Sequence, residues 1–101
     1  MKLYNGNFSP NAVRVRAVAY ELDIPLEIIE VDVSKGEHKT PEFLKINPNG
    51  KIPVLVDGGF VLWESRAICL YLSSVKPESN FYPASARLRA LIDQWMYWQA
   101  I

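Results

Sequence analysis

The sequence predicts an α/β fold in which a four-stranded mixed sheet carries helices packed against it, and three observations lead there. Short apolar runs alternate with segments of helical periodicity, Ser-Pro and Thr-Pro pairs open two of the helical segments, and two apolar runs meet across Gly58-Gly59 in a hairpin pattern. The resulting order is strand, helix, strand, helix, strand, strand, helix, with one more helical segment after a proline-bearing connection.

The elements follow in chain order. Residues 2–5 are short, and Gly6-Asn7 behind them marks a turn, so they read as a first strand. Ser9-Pro10 opens a helix, because serine accepts from an otherwise unpaired amide and proline at the first helical position lacks only a donor that would have had no partner. Val15, Val18, Ala19 and Leu22 then share one face, with Arg14, Arg16 and Glu21 off it, and the helix is expected to run to about Asp23 before Pro25. Residues 26–33 form a β-rich stretch, and residues 34–39 are polar and read as a mobile loop. Thr40-Pro41 repeats the cap-then-proline signature for a short helix to about Ile46, and Asn47-Pro48-Asn49-Gly50 is a turn. Residues 52–56 and 60–63 are the two hairpin strands, and Glu64-Ser65 starts a third helix ending near Val75. A connection with two prolines follows. Leu88, Leu91, Ile92, Trp95 and Trp98 fall at helical spacing, and no glycine, asparagine or proline stop signal precedes Ile101, so the sequence reads as ending within a helix whose tryptophan-bearing face expects a partner.

Composition limits the function. Half of the 101 residues are hydrophobic and 12% are aromatic, enough for a real core and outside the range of disordered chains. That length accommodates one domain of ordinary size and leaves any two-domain mechanism dependent on a partner. Eleven basic residues balance eleven acidic ones without a run of one sign, which disfavours binding to nucleic acid or to an anionic membrane. The single cysteine, Cys69, cannot close an internal disulfide, and the opening residues lack the apolar stretch of a signal peptide or membrane span. A reducing, cytoplasmic setting is expected.

Four segments carry a resemblance. Ser9-Pro10-Asn11-Ala12, Asn47-Pro48-Asn49-Gly50-Lys51-Ile52-Pro53-Val54-Leu55, Trp63-Glu64-Ser65-Arg66-Ala67-Ile68 and Asp93-Gln94-Trp95 together resemble a cytosolic glutathione S-transferase, a detoxification enzyme of thioredoxin-like fold. Serine in the first loop is similar to the theta, delta and phi classes and to related bacterial enzymes. The resemblance implies a glutathione-binding thioredoxin-like domain over residues 1–76, a linker over 77–84, and over 85–101 the first helix of an all-helical domain. It also implies glutathione as co-substrate, a small electrophilic substrate, and a homodimer in the full-length protein.

Ser9 is the catalytic candidate. A thiol with pKa about 8.5 is only roughly 3% ionised at pH 7, and lowering that pKa by about two units takes roughly 2.7 kcal/mol of preference for the anion. A hydroxyl donor at the positive end of the first helix is of the right strength. Read without the family, Ser9 is an N-cap, and a hydroxyl spent on capping is oriented by that contact; the two roles are expected to compete.

The remaining candidates would hold the tripeptide. Sequence alone places a cis bond before Pro53 in about 6% of cases, whereas the resemblance implies cis at Ile52-Pro53, with the Ile52 backbone pairing with the cysteinyl main chain of glutathione as an added strand. Pro53 also suits a plain edge strand. Ser65, with amide and hydroxyl, would take the γ-glutamyl carboxylate at a helix N-terminus, Glu64 would sit near the α-ammonium, and Arg66 is a weaker candidate. Otherwise Ser65 is a cap and Glu64 complements the helix dipole. His38 and Lys51 would meet the glycyl carboxylate, with Lys39 behind them; as the single histidine, His38 belongs to no multi-histidine metal cluster, and a surface position is its plain alternative. Asn11 and Arg16 receive no role, and Cys69 reads as a buried structural thiol. Serine where glutaredoxin-like relatives carry cysteine argues against disulfide exchange.

Two other functions share these features. Glutathione-dependent dehalogenation, isomerisation or peroxide reduction would use the same activated thiolate. A non-catalytic interaction module of the same fold is the third reading; Ser9 with Glu64-Ser65 counts against it, and the tryptophan-bearing last helix counts for it.

Overall fold

A computed structural model describes all 101 residues. Strands β1 (Lys2–Asn5), β2 (Glu27–Glu30), β3 (Val54–Asp57) and β4 (Phe60–Trp63) form one sheet in the order β2-β1-β3-β4. β1 runs parallel to β2 and antiparallel to β3, and β3 runs antiparallel to β4, so the sheet is mixed as expected. Helices α1 (Pro10–Glu21), α2 (Pro41–Ile46), α3 (Ser65–Val75) and α4 (Ala86–Ala100) complete the chain. No helix is long and apolar enough to cross a membrane.

Two-residue alternation along the strands divides the core. Leu3 faces Leu55 across the β1–β3 ladder, and both point to the layer where Val15 and Ala19 of α1 meet Ile68, Cys69 and Leu72 of α3. Their neighbours Tyr4 and Val54, also paired, point to the opposite face, where Phe43 of α2 and Val31 close a smaller cluster. Complete burial of Leu3, Leu55 and Leu72 contributes about 1.5–3 kcal/mol each.

The local signals hold at the helix starts. Ser9 and Thr40 accept from the amides of Ala12 and Phe43, with Pro10 and Pro41 behind them, and α1 ends where Asp23 takes a left-handed φ of 55°. Three expectations need correction. The strand expected over 26–33 narrows to Glu27–Glu30, since only those residues find register with β1. The one expected over 52–56 starts at Val54, behind the cis-Pro bend. Residues 33–39 are ordered as two 3₁₀ turns on either side of Gly36, because the Asp32 carboxylate accepts from the amides of Ser34 and Lys35. The same contacts, led by the Ser34 hydroxyl, hold the Asp32 carboxyl below its usual pKa.

α4 is attached differently. It buries no residue; only Met96 reaches the main core. The connection before it is tied down by polar contacts: the Tyr82 hydroxyl donates to Asp93 at 2.9 Å, Arg89 donates to the Pro83 carbonyl at 2.6 Å, and its guanidinium lies 4.2 Å from the Tyr82 ring centre. Trp95 and Trp98 stack edge to face, both exposed.

Candidate functional site

The C-terminal ends of β1 and β2, the turn before β3 and the start of α3 surround a groove in two parts. The larger, about 1130 Å³, is lined by residues 6–9, 30–34, 38–39 and 50–52; the smaller, about 140 Å³, includes Asn11, Lys51, Ile52, Pro53, Glu64, Ser65 and Arg66. Lys51 and Ile52 border both. Every candidate named from the sequence therefore lines this groove. Ser9, His38 and Lys39 belong to the larger part, and Pro53, Glu64, Ser65 and Arg66 to the smaller.

Ser9 sits at the mouth of α1. Its oxygen accepts from the Ala12 amide at a long 3.4 Å, so the contact engages a lone pair and leaves the hydroxyl proton free to be donated. The cap thus orients the hydroxyl, as expected, through its oxygen and not through its proton. Close approach marks the turn behind it: a Cβ on Gly6 would stand 2.6 Å from Ile52 Cδ1, so any larger residue there would push the Ile52 side chain aside.

The Ile52–Pro53 bond is cis, and no loop, cap or side-chain hydrogen bond of the chain engages the Ile52 amide or carbonyl. The segment is instead held from behind by Asn47, fully buried, whose side chain donates to the Lys51 carbonyl at 2.8 Å and accepts from the Asn49 amide at 3.0 Å. Asn47 was read from the sequence only as part of a turn; asparagine's habit of bonding backbone two residues on was the available signal. Beside it, Gly50 has a φ of 63°, and a Cβ there would stand 2.8 Å from Lys39 Nζ, so the Lys39 ammonium lies over this turn. His38 Nδ1 is shielded from solvent without a hydrogen-bond partner in the chain.

At the smaller end, Glu64 holds φ 80° and ψ 109°, a conformation that costs a non-glycine residue about 1–3 kcal/mol and turns the chain abruptly from β4 into α3. The expected cap at this helix is absent. Glu64 makes no side-chain cap bond, and Ser65, nearly buried, lies inside the helix, where its oxygen accepts from Arg14 Nη1 at 2.9 Å. That leaves the Ser65 proton available to an incoming acceptor, polarised by the guanidinium behind it. Glu64 pairs with Arg66 at 3.3 Å, and Gln99 of α4 accepts from both Arg66 and Arg14. Arg66 Nε is buried without a partner. Arg14 also donates to Asn11 in its own helix at 2.7 Å, but its partners Ser65 and Gln99 lie 51 and 85 residues away, so nothing local points to its role beside Ser65.

Comparison with known proteins gives a consistent answer. The family described as glutathione S-transferase, N-terminal domain, matches residues 1–74. Glutathione S-transferase D7 of Drosophila melanogaster is 42% identical over 99 residues, which are 96% of this chain and 44% of that protein. A glutathione transferase structure from Bombyx mori superposes with a TM-score of 0.93 at 42% identity, over 98% of this chain and 46% of that one. The human glutathione transferase theta-2 structure, a complex with glutathione and an unknown ligand, gives 0.89 at 40% identity, over 98% of this chain and 41% of that one. The chain thus spans less than half the length of these relatives.

Proposed function

The chain belongs to the glutathione S-transferase family, and from that premise we propose that it binds reduced glutathione along the two-part groove and holds the thiol as thiolate for attack on a small electrophilic substrate. The observation that carries the reading is the disposition of three donors along one groove: the free Ser9 hydroxyl proton, the unpaired Ile52 backbone and the Ser65 hydroxyl proton. Ser9 donates to the sulfur, and the Ala12 amide, by donating to its oxygen, makes it the stronger donor. Ile52 pairs with the cysteinyl main chain beside Pro53. Ser65 takes the γ-glutamyl carboxylate, with Glu64 toward the α-ammonium and Arg66 in support; His38 and Lys51, with Lys39 nearby, meet the glycyl carboxylate.

In this reading residues 1–76 are the glutathione-binding domain, 77–84 the linker and 85–101 the opening helix of a helical domain that would supply most of the electrophile pocket. The family match over 1–74 and the relatives' greater length support that division. Detoxification in the cytoplasm by a homodimer completes the proposal.

Calorimetric titration with reduced glutathione tests it first. Saturable one-to-one binding is expected, with Ser9→Ala binding comparably while the bound thiol's pKa rises by about one to two units toward that of the free thiol. Absence of binding, or a thiol pKa indifferent to Ser9→Ala, would defeat the reading.

A further inference from the structure

The turn that carries Ser9 is gripped from two sides. Residues 6–9 close on the bond from the Ser9 amide to the Gly6 carbonyl at 3.0 Å, and Asn7 lies between them. On one side the Asn7 amide donates to Glu30 Oε1 at 2.6 Å, while the other oxygen of the same carboxylate accepts from the Asn5 side chain at 2.8 Å. Asn5 is only 1% exposed and lies opposite Glu30 in the β1–β2 register. On the other side Arg16, in the second turn of α1, donates to the Asn7 side-chain oxygen at 3.3 Å and to its carbonyl at 3.4 Å.

One carboxylate thus joins the end of β1, the end of β2 and the turn, and one guanidinium joins that turn to the helix Ser9 caps. We infer that Glu30, assisted by Arg16, is a positioning residue that sets the direction of the Ser9 hydroxyl and so the ionisation of the glutathione thiol. The inference rests on the proposed role of Ser9. The charge of Glu30 makes it testable by sign. Glu30 lines the larger part of the groove, and a negative charge there disfavours a thiolate, so its field alone raises the thiol pKa and its removal lowers it. Loss of positioning acts the other way.

The experiment measures the pKa of bound reduced glutathione from its ultraviolet thiolate absorbance, with affinity by calorimetry and melting temperature alongside, for the parent chain, Ser9→Ala, Glu30→Ala and Glu30→Gln. Glu30→Ala is expected to raise the thiol pKa by about one unit, which from about 6.5 to about 7.5 is a roughly threefold loss of thiolate at pH 7, with affinity changed by less than about threefold. Glu30→Gln is expected at or slightly below the parent value, because the charge is lost while its carbonyl still accepts from Asn7 and its amide can meet the otherwise unpartnered Asn5 Oδ1 once Asn5 flips. If Glu30→Ala does not fold, Glu30→Asp replaces it: the charge is kept, the reach is shortened, and the same rise is expected. A lowered melting temperature with an unchanged or lowered thiol pKa in Glu30→Ala, or in Glu30→Asp where that replaces it, would overturn the inference while a response to Ser9→Ala left the proposed function standing. No response to Ser9→Ala would bring both down.

Discussion

α3 and α4 are helices of similar length and both carry apolar residues at helical spacing, yet α3 buries Ser65, Ile68, Cys69, Leu72 and Ser73 while α4 buries nothing. The difference lies in what stands opposite. α3 lies against α1 and the sheet, so its apolar stripe is removed from water on folding, whereas Trp95 stays 64% exposed. α4 is held instead by Met96, by the Tyr82–Asp93 and Arg89 contacts and by Gln99, which accepts from two arginines at the edge of the groove. Helical periodicity therefore marks a face that could be buried; packing decides whether it is.

Truncation within α3 is the strongest way to separate the two helices. Leu72→Ala should cost about 2–5 kcal/mol in urea denaturation, since the site is fully buried and closed around by Leu3, Val15 and Leu55. A cost below about 1 kcal/mol would mean that α3 is no better packed than α4. Alkaline pH comes next. Burial pushes the Cys69 thiol up to about 11 from its ordinary 9.0, against the opposing pull of Arg14 and Arg66. The folded state thus holds this proton more tightly, so its contribution is intact below about pH 9 and is lost as pH rises to about 11. The parent should lose roughly 2 kcal/mol more than Cys69→Ala across that window in parallel denaturation curves, and equal losses would place the thiol in contact with water.

Smaller effects sharpen the other side. Tyr82→Phe removes the hydroxyl that meets Asp93, at an expected cost of about 1 kcal/mol confined to α4 and its connection. Amide exchange should show faster opening of α4 and unchanged protection in α3; uniform loss would mean that the two helices unfold together. Trp95→Ala should change stability of the chain by less than about 0.5 kcal/mol, a large residue giving the smallest effect because little of it leaves water.

Much of the groove's framework was readable locally. Ser9-Pro10 and Thr40-Pro41 gave their helices, Gly58-Gly59 its hairpin, and three of the resembling segments hold every residue proposed to touch glutathione except His38 and Lys39, which lie in the polar stretch over 34–39. The 3₁₀ turns over 33–39 escaped because the Asp32 carboxylate that orders them was read as part of a strand. Asn47 escaped because a turn residue is expected at the surface, and here it is sealed beneath the segment it supports.

Local structure was within reach of the sequence because a cap, a turn or a helical stripe depends on residues within about four positions of one another. Partnership between distant polar side chains was not. Arg14 meets Ser65, Glu30 meets Asn7 and Gln99 meets two arginines only after strand register and helix packing have placed them. The same residues in a different register would hydrogen-bond water. The sequence by itself determined the helices, the hairpin and the residues proposed to carry the chemistry; the tertiary structure alone decided which of their protons are left without a partner in the chain, because a donor's direction is set by whatever holds its oxygen from behind.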